Sequence, residues 1–252
     1  MLGLLSALVG TIVTVLLAAG AVAARALTRA GGAVAAAFGV AIVVLAGFPF
    51  LALLILFLVA SVLATRYRFA EKSRRHVQEG VHGERGVSNV VAHIVVPTSL
   101  AVAGGLPHPI LPSLDLAVLY TAALAFGASD TFASEFGVLA GRARSLLTFR
   151  PVEPGTNGGV SGLGEAAAFL GALTTAAVGL GLFALFDFPI AAPLLLVGAA
   201  AAAGFLACQV DSVLGELLEN RGYLTKGGTN FLGMLAAVGI AASILAVAGV
   251  AW

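Results

Sequence analysis

The sequence predicts an all-α fold, a polytopic transmembrane helix bundle of about eight spans. Three observations carry that reading. Hydrophobic residues make up 60% of the 252 and charged residues only 10%, whereas soluble domains hold about 45–50% apolar and about 25% charged residues. The mean hydropathy is +1.07, more apolar surface than a soluble interior of this size can hide. All 13 Lys and Arg residues fall in alternate connections between the apolar stretches.

A helix needs roughly 20 apolar residues to cross about 30 Å of hydrocarbon. Spans are therefore placed at 2–24, 32–48, 50–65, 90–106, 114–139, 161–186, 190–214 and 229–251. The first lacks the positive leader region of a signal peptide and reads as a span. Gly47-Phe48-Pro49 breaks what would be one long helix into a hairpin. Pro107, Pro109 and Pro112 punctuate the next turn on that side, and Phe188-Pro189 the one after. The many Gly and Ala residues let helices approach closely in lipid.

The basic residues divide among the connections. Arg25 and Arg29 lie in or beside 25–31. Arg66, Arg68, Lys72, Arg74, Arg75 and Arg85 lie in 66–89. Arg142, Arg144 and Arg150 lie in 140–160, and Arg221 and Lys226 in 215–228. The positive-inside rule makes these four loops cytoplasmic. Both ends of the chain then lie on the non-cytoplasmic side of the cell membrane, in a single integral membrane domain over 1–252. A net charge of +1 gives no global field for nucleic acid. Cys208, the single cysteine, excludes an intramolecular disulfide and a cysteine cluster, and reads as a small packing residue.

Two segments carry the polar chemistry. Asp130-Thr131-x-x-Ser134-Glu135 and Asp211-Ser212-x-x-Gly215-Glu216 each place an Asp five residues before a Glu at the cytoplasmic end of a span. A basic loop and a Gly-Thr-Asn triplet follow each, Gly155-Thr156-Asn157 and Gly228-Thr229-Asn230, ahead of the next span. The order reads as a degenerate parallel repeat, although echoes this short also arise by chance. Charges near the membrane interior are costly and tend to be functional. Five helical residues put each Asp and its Glu about 140° apart, so one helix does not close both on one ion. Asp130 meeting Asp211 across a helix interface is the more plausible metal pair. Their hard oxygens suit Mg²⁺, which takes one or two carboxylates plus substrate phosphates. The plainer reading of these acids, pairing with nearby Arg, stays open.

Gly155, Thr156, Asn157, Gly158, Gly159 and Ser161 form a Gly-rich run ahead of a helix. Glycine lets backbone approach a ligand closely, and a helix N-terminus offers free N–H groups to an anion. No Gly-Lys-Ser/Thr follows, so this is not a Walker A motif. The alternative is a capped, flexible helix entry. Lys72, Arg75 and Arg85 could reach a phosphate, and Arg142 and Lys226 flank the Gly-rich segments. His76 and His82 read as solvated. His93 reads as a helix–helix hydrogen-bond partner, Asp115 and Asp187 as turn residues. Glu165 either joins the acids or favours its helix N-terminus.

The string Asp130-Thr131-x-Ala133-Ser134-Glu135-x-Gly137, followed by Pro154-Gly155-Thr156-Asn157-Gly158-Gly159-Val160-Ser161-x-x-Gly164, resembles the signature of domain-of-unknown-function family 92, which includes transmembrane protein 19. Asp211-Ser212-x-Leu214-Gly215 and Thr229-Asn230-Phe231 match its C-terminal motifs. Lys72, Gly80 and Arg85-Gly86-x-x-Asn89-Val90 match its long cytoplasmic loop. The resemblance covers nearly the whole chain. It departs where the family usually has Asn-Gly after the Arg-Gly motif and this chain has His93-Ile94. The family includes a chloroplast phytyl-phosphate kinase and is similar, at a distance, to CTP-using polyprenol kinases and CDP-diacylglycerol synthase-like enzymes. The resemblance implies a nucleotide-dependent kinase, with CTP as the foremost donor, acting on an isoprenoid monophosphate such as phytyl or geranylgeranyl phosphate.

On that expectation Asp130, Glu135, Asp211, Glu216 and Arg85 are the catalytic candidates, with Asp130 and Asp211 on Mg²⁺. Lys72, Arg142, Gly155, Thr156, Asn157, Gly158, Gly159, Ser161, Lys226, Thr229 and Asn230 are the phosphate-binding candidates. The partners are the bilayer and an isoprenoid lipid, with self-association left open. Two other classes stay open: a transporter of a lipid or small anion, and a non-catalytic membrane protein. A transporter binds near the bilayer midplane, whereas these acids gather toward one face.

Overall fold

A computed structural model describes residues 2–105, 113–188, 190 and 192–249. Pro107, Pro109, Pro112 and Pro189, the side chain of Asp115 and the last residues of the fourth and eighth expected spans lie outside the described residues. The rest is an all-α bundle. Its long helices are α1 (Leu2–Ala23), α2 (Arg29–Leu45), α3 (Phe48–Arg66), α5 (Val87–Gly105), α6 (Ser113–Gly137), α7 (Gly162–Leu185), α8 (Pro193–Leu214) and α9 (Lys226–Val247), with a short α4 (Phe69–Arg74) between α3 and α5. Among the described residues, six helices are long and apolar enough to cross a membrane. Ala7–Ala23 and Arg29–Leu45 are shorter apolar stretches.

Caps explain where the boundaries moved. Thr28 caps α2 by accepting from Gly31 N, so that helix starts three residues earlier than hydropathy suggests. Thr225 caps α9 through Gly228 N, which draws Lys226 into the helix. Gly47, at φ +97, breaks α2 from α3, and Pro49 opens α3. The bundle closes around α6, whose segment Leu116–Phe126 is almost wholly excluded from solvent. Small residues set its spacing. A Cβ on Gly204 of α8 would meet the Ala125 backbone carbonyl carbon at 2.7 Å, and one on Gly171 of α7 would meet Ala128 O at 2.9 Å. Tyr120 is buried with its hydroxyl donating to Phe50 O at 2.8 Å, which ties α6 to α3.

The connections are more ordered than expected. Residues 140–160 fold into a three-stranded antiparallel sheet in the order β2-β1-β3: β1 (Ala143–Ser145) pairs with β2 (Pro151–Val152) on one side and β3 (Gly159–Val160) on the other. The α1–α2 and α4–α5 connections are stitched together by Thr28 N donating to Arg85 O (3.1 Å) and Arg85 N donating to Ala26 O (3.0 Å). After α8, Gly215–Glu219 form a π-helical turn. The two halves of the expected repeat therefore differ. Gly155–Asn157 lies in the loop before α7, whereas Gly228–Asn230 lies inside the first turn of α9, because the cap follows the first triplet and precedes the second.

Candidate functional site

The C-terminal ends of α6 and α8 and the N-terminal ends of α7 and α9 enclose a polar cleft of about 300 Å³. Asp130, Glu135 and Asp211 line it, with the whole Gly155–Ser161 run, Lys226 and Asn230. Ser161 caps α7 through Gly164 N at 3.1 Å, so the Gly-rich run delivers the chain to a helix N-terminus that borders the cleft. Gly158 is at φ +78, and a Cβ there would lie 2.5 Å from Glu216 Cβ. Gly158→Ala is expected to cost about 1–3 kcal/mol and to displace the loop, read as a lower unfolding midpoint together with reduced activity.

Asp130 sits beside a crossed polar pair. His93 Nδ1 lies 2.9 Å from Asn89 O, and its Nε2 lies 3.3 Å from Asn230 Nδ2. With Nδ1–H donating to the carbonyl, Nε2 is left to accept from the amide. This is the helix–helix role expected of His93, joining α5 to α9. Asp130 Oδ2 is 3.9 Å from Nε2. Asn230 Oδ1 and Asp211 Oδ1 are buried without a partner among the described residues.

Several sequence-level candidates are placed elsewhere. Lys72 is fully buried, and its Nζ donates to Glu135 Oε2 (2.6 Å), Ala64 O (2.8 Å) and Thr65 O (3.1 Å). All three protons are used, so it has none for a phosphate. Glu135 also accepts from Thr65 Oγ1 at 2.5 Å, and the same oxygen accepts from Arg85 Nη2 at 3.2 Å. Glu135 thus borders the cleft but acts as the centre of a brace that orients Arg85. Glu216 is not in the cleft wall: it accepts from Ser145 Oγ (2.6 Å) and Leu147 N (3.5 Å) and pins the small sheet. Arg142 is exposed and away from the cleft wall. Thr229 Oγ1 is buried 2.9 Å from Lys226 O and 3.3 Å from Glu219 Oε2.

Arg85, 4% exposed, lines a small pocket together with Asp130. Burial draws its pKa below the ordinary arginine value, and Glu79, Glu135 and Asp130 oppose the shift. Glu79 is a cleft residue absent from the sequence-level candidates. Its Oε2 is 3.8 Å from Lys226 Nζ and its Oε1 accepts from Asn89 Nδ2 at 3.3 Å. Nothing in its mixed-charge loop marks it. Glu165 lines the cleft and stands in the first turn of α7, where Gln209 Nε2 donates to it at 3.0 Å. Cys208 packs in the core at 2% exposure, as its apolar setting suggests.

Among the described residues no group of three or more His, Cys, Asp and Glu is arranged to hold a metal ion. Asp130, Asp211 and Asn230 line the same cleft, and the Oδ1 atoms of Asp211 and Asn230, without a partner among the described residues, are hard oxygens of the type that Mg²⁺ takes.

No solved structure matches the chain. It is 34% identical over 202 residues to an uncharacterized membrane protein of Synechocystis, covering 77% of this chain and 74% of that one. It is 29% identical over 188 residues to an uncharacterized membrane protein of Methanocaldococcus jannaschii, 74% and 72% of the two chains. With Protein PGR of Arabidopsis thaliana it shares 31% over 196 residues, 71% and 67%. The family model described as integral membrane protein DUF92 matches residues 12–252, and the chain is a member of that integral membrane family.

Proposed function

We propose that the protein transfers the terminal phosphoryl group of a nucleoside triphosphate, CTP foremost, to an isoprenoid monophosphate held in the bilayer, giving the diphosphate. The observation that supports this most is that Asp130, Asp211, Lys226 and the 155–161 loop share one cleft at one end of the bundle. That end carries the basic connections, so it faces the cytoplasm of the cell, where nucleotides are, and both ends of the chain face away.

The chemistry asks for little covalent help. An acceptor phosphate oxygen forms a bond to the γ-phosphorus, the bond from that phosphorus to the β–γ bridging oxygen breaks, and the nucleoside diphosphate leaves. A monophosphate is already largely ionised at neutral pH, its second pKa being about 6, so no general base is required. Positioning and charge neutralisation are, because two polyanions must meet. Lys226 and Arg85 line one small pocket with Asp130, and the N-termini of α7 and α9 turn their positive ends toward the adjoining cleft. Asp130 and Asp211 would hold Mg²⁺, which supplies neutralisation of the β- and γ-phosphate oxygens when bound. Asn230, held against His93, lines the same cleft, and its Oδ1 has no partner among the described residues.

The test uses purified protein in detergent with Mg²⁺, labelled CTP, ATP, UTP or GTP, and phytyl or geranylgeranyl monophosphates or their alcohols. A labelled diphosphate is the expected product. A labelled monophosphate made from the alcohol would move the reaction to the alcohol kinases. No product from folded protein, with substrate flux in liposomes that consumes no nucleotide, would replace the enzyme by a transporter.

A further inference from the structure

A second cavity, of about 390 Å³, lies between α1, α2, α3 and α5. Aliphatic side chains such as Leu17, Leu51, Ile55, Leu58 and Val62 make its walls, while Gly20, Ala21 and Gly39 keep one side low. The residues from Leu51 to Leu63 follow it along α3, a rise of about 18 Å. Three larger polar groups, Arg85, Asn89 and His93, mark one end of it.

Those three also line a narrow passage of about 20 Å³ whose other wall is Asp130, Glu135, Lys226 and Asn230. The passage shares Asp130, Lys226 and Asn230 with the carboxylate cleft. This small space thus shares lining residues with both the apolar groove and the polar cleft, and Arg85 borders it and the groove. Its Nη2 is held by Thr65, but its Nε is buried with no partner among the described residues. A buried guanidinium N–H without an acceptor is costly and calls for one. An anionic oxygen at the polar end of an apolar groove answers that need, and a neutral hydrocarbon does not.

We infer that the α1–α2–α3–α5 groove is the seat of the hydrocarbon chain of a single-chain anionic lipid, with its phosphate on Arg85 and directed through the passage toward Asp130. The identification of this lipid as the acceptor rests on the phosphotransfer reading above; the seat itself requires only binding. The Lys72–Glu135–Thr65 brace then has a purpose, since it fixes the guanidinium that receives the headgroup.

The experiment is photo-crosslinking of the full chain in lipid nanodiscs with geranylgeranyl monophosphate bearing a diazirine on the chain, mapped by mass spectrometry. Adducts are expected on Leu51–Leu63 and on residues 14–24, and excess untagged geranylgeranyl monophosphate should suppress them. Two variants fill the groove separately: Gly20→Phe, where an added Cβ meets nothing within 4 Å, and Val62→Phe. Each should lower labelling by roughly tenfold. Adducts outside the groove, adducts unchanged by either filling, labelling no stronger than with the tagged alcohol, or equal suppression by dioleoylphosphatidylcholine would each overturn the assignment. Failure of the seat is distinguishable from failure of the reaction. If Asp130→Asn keeps full turnover while adducts stay in the groove, the carboxylate mechanism falls and the seat stands. If wild-type protein makes diphosphate while adducts lie elsewhere, the seat alone falls.

Discussion

Lys72→Met is expected to lower stability by about 3–5 kcal/mol, the cost of leaving a buried charge without its partner. Glu135 would keep its hydrogen bond from Thr65 but lose the ammonium at 2.6 Å. Lys72 would lose three bonds, two of them to carbonyls at the end of α3. In a chain of this length that corresponds to an unfolding midpoint lower by on the order of 10 °C in detergent. Glu135→Gln should do comparable harm. The double variant Lys72→Met/Glu135→Gln should recover part of the loss, because a neutral pair costs less to bury than one orphaned charge. A thermal scan of the four proteins measures this. Equal midpoints for Lys72→Met and wild type would mean that the pair does not brace the bundle.

The second large effect concerns activity. Asp130→Asn and Asp211→Asn each keep shape and hydrogen-bonding capacity while removing a negative charge from the cleft. If these carboxylates hold the metal on the nucleotide, turnover should fall by roughly 10³-fold or more, the range seen when a charge-stabilising element of such a site is removed. Folding should be little affected. Asp130 has its neighbour His93 at a loose 3.9 Å, and one Asp211 oxygen is unpartnered among the described residues. Arg142→Ala, at an exposed position outside the cleft wall, serves as the comparison and should stay within a factor of about two of wild type. Turnover that survives both Asp variants would remove the carboxylates from the chemistry.

Much of the bundle was legible because lipid imposes a one-dimensional signal. Hydropathy located the long helices, and Gly47-Phe48-Pro49 marked the α2–α3 break because φ +97 suits glycine and proline opens a helix. The boundary shifts at Arg29 and Lys226 came from Thr caps, whose effect hydropathy does not register. The small sheet was not legible: its two- and three-residue strands are too short to alternate, and Glu216, 71 residues from Ser145, helps fix it.

The site divides in the same way. Asp130, Asp211 and the Gly-rich run could be singled out from type and spacing, since acids near a membrane interior are costly and these glycines cluster beside Thr and Asn instead of along a packed helix. Lys72 was misplaced because a lysine in a basic loop looks solvated, and only the fold brings Glu135 beside it across 63 residues. The His93–Asn230 contact joins residues 137 apart, and Glu79 carries no local motif at all. The Asp-x4-Glu echo overstated the symmetry: the two Asp share a cleft, but one Glu braces Arg85 through Thr65 and the other pins a loop.

The most direct measurement is backbone amide exchange on the folded protein with and without the Mg²⁺ complex of the nucleotide that supports product formation. Exchange is expected to slow in 155–161 and in 212–230, the segments that border the cleft, with little change in 66–75, and the slowing should weaken in Asp130→Asn. Unchanged exchange in both cleft segments at saturating nucleotide, with protection elsewhere in the chain, would contradict the placement of the phosphates between Asp130, Asp211 and the glycine loop.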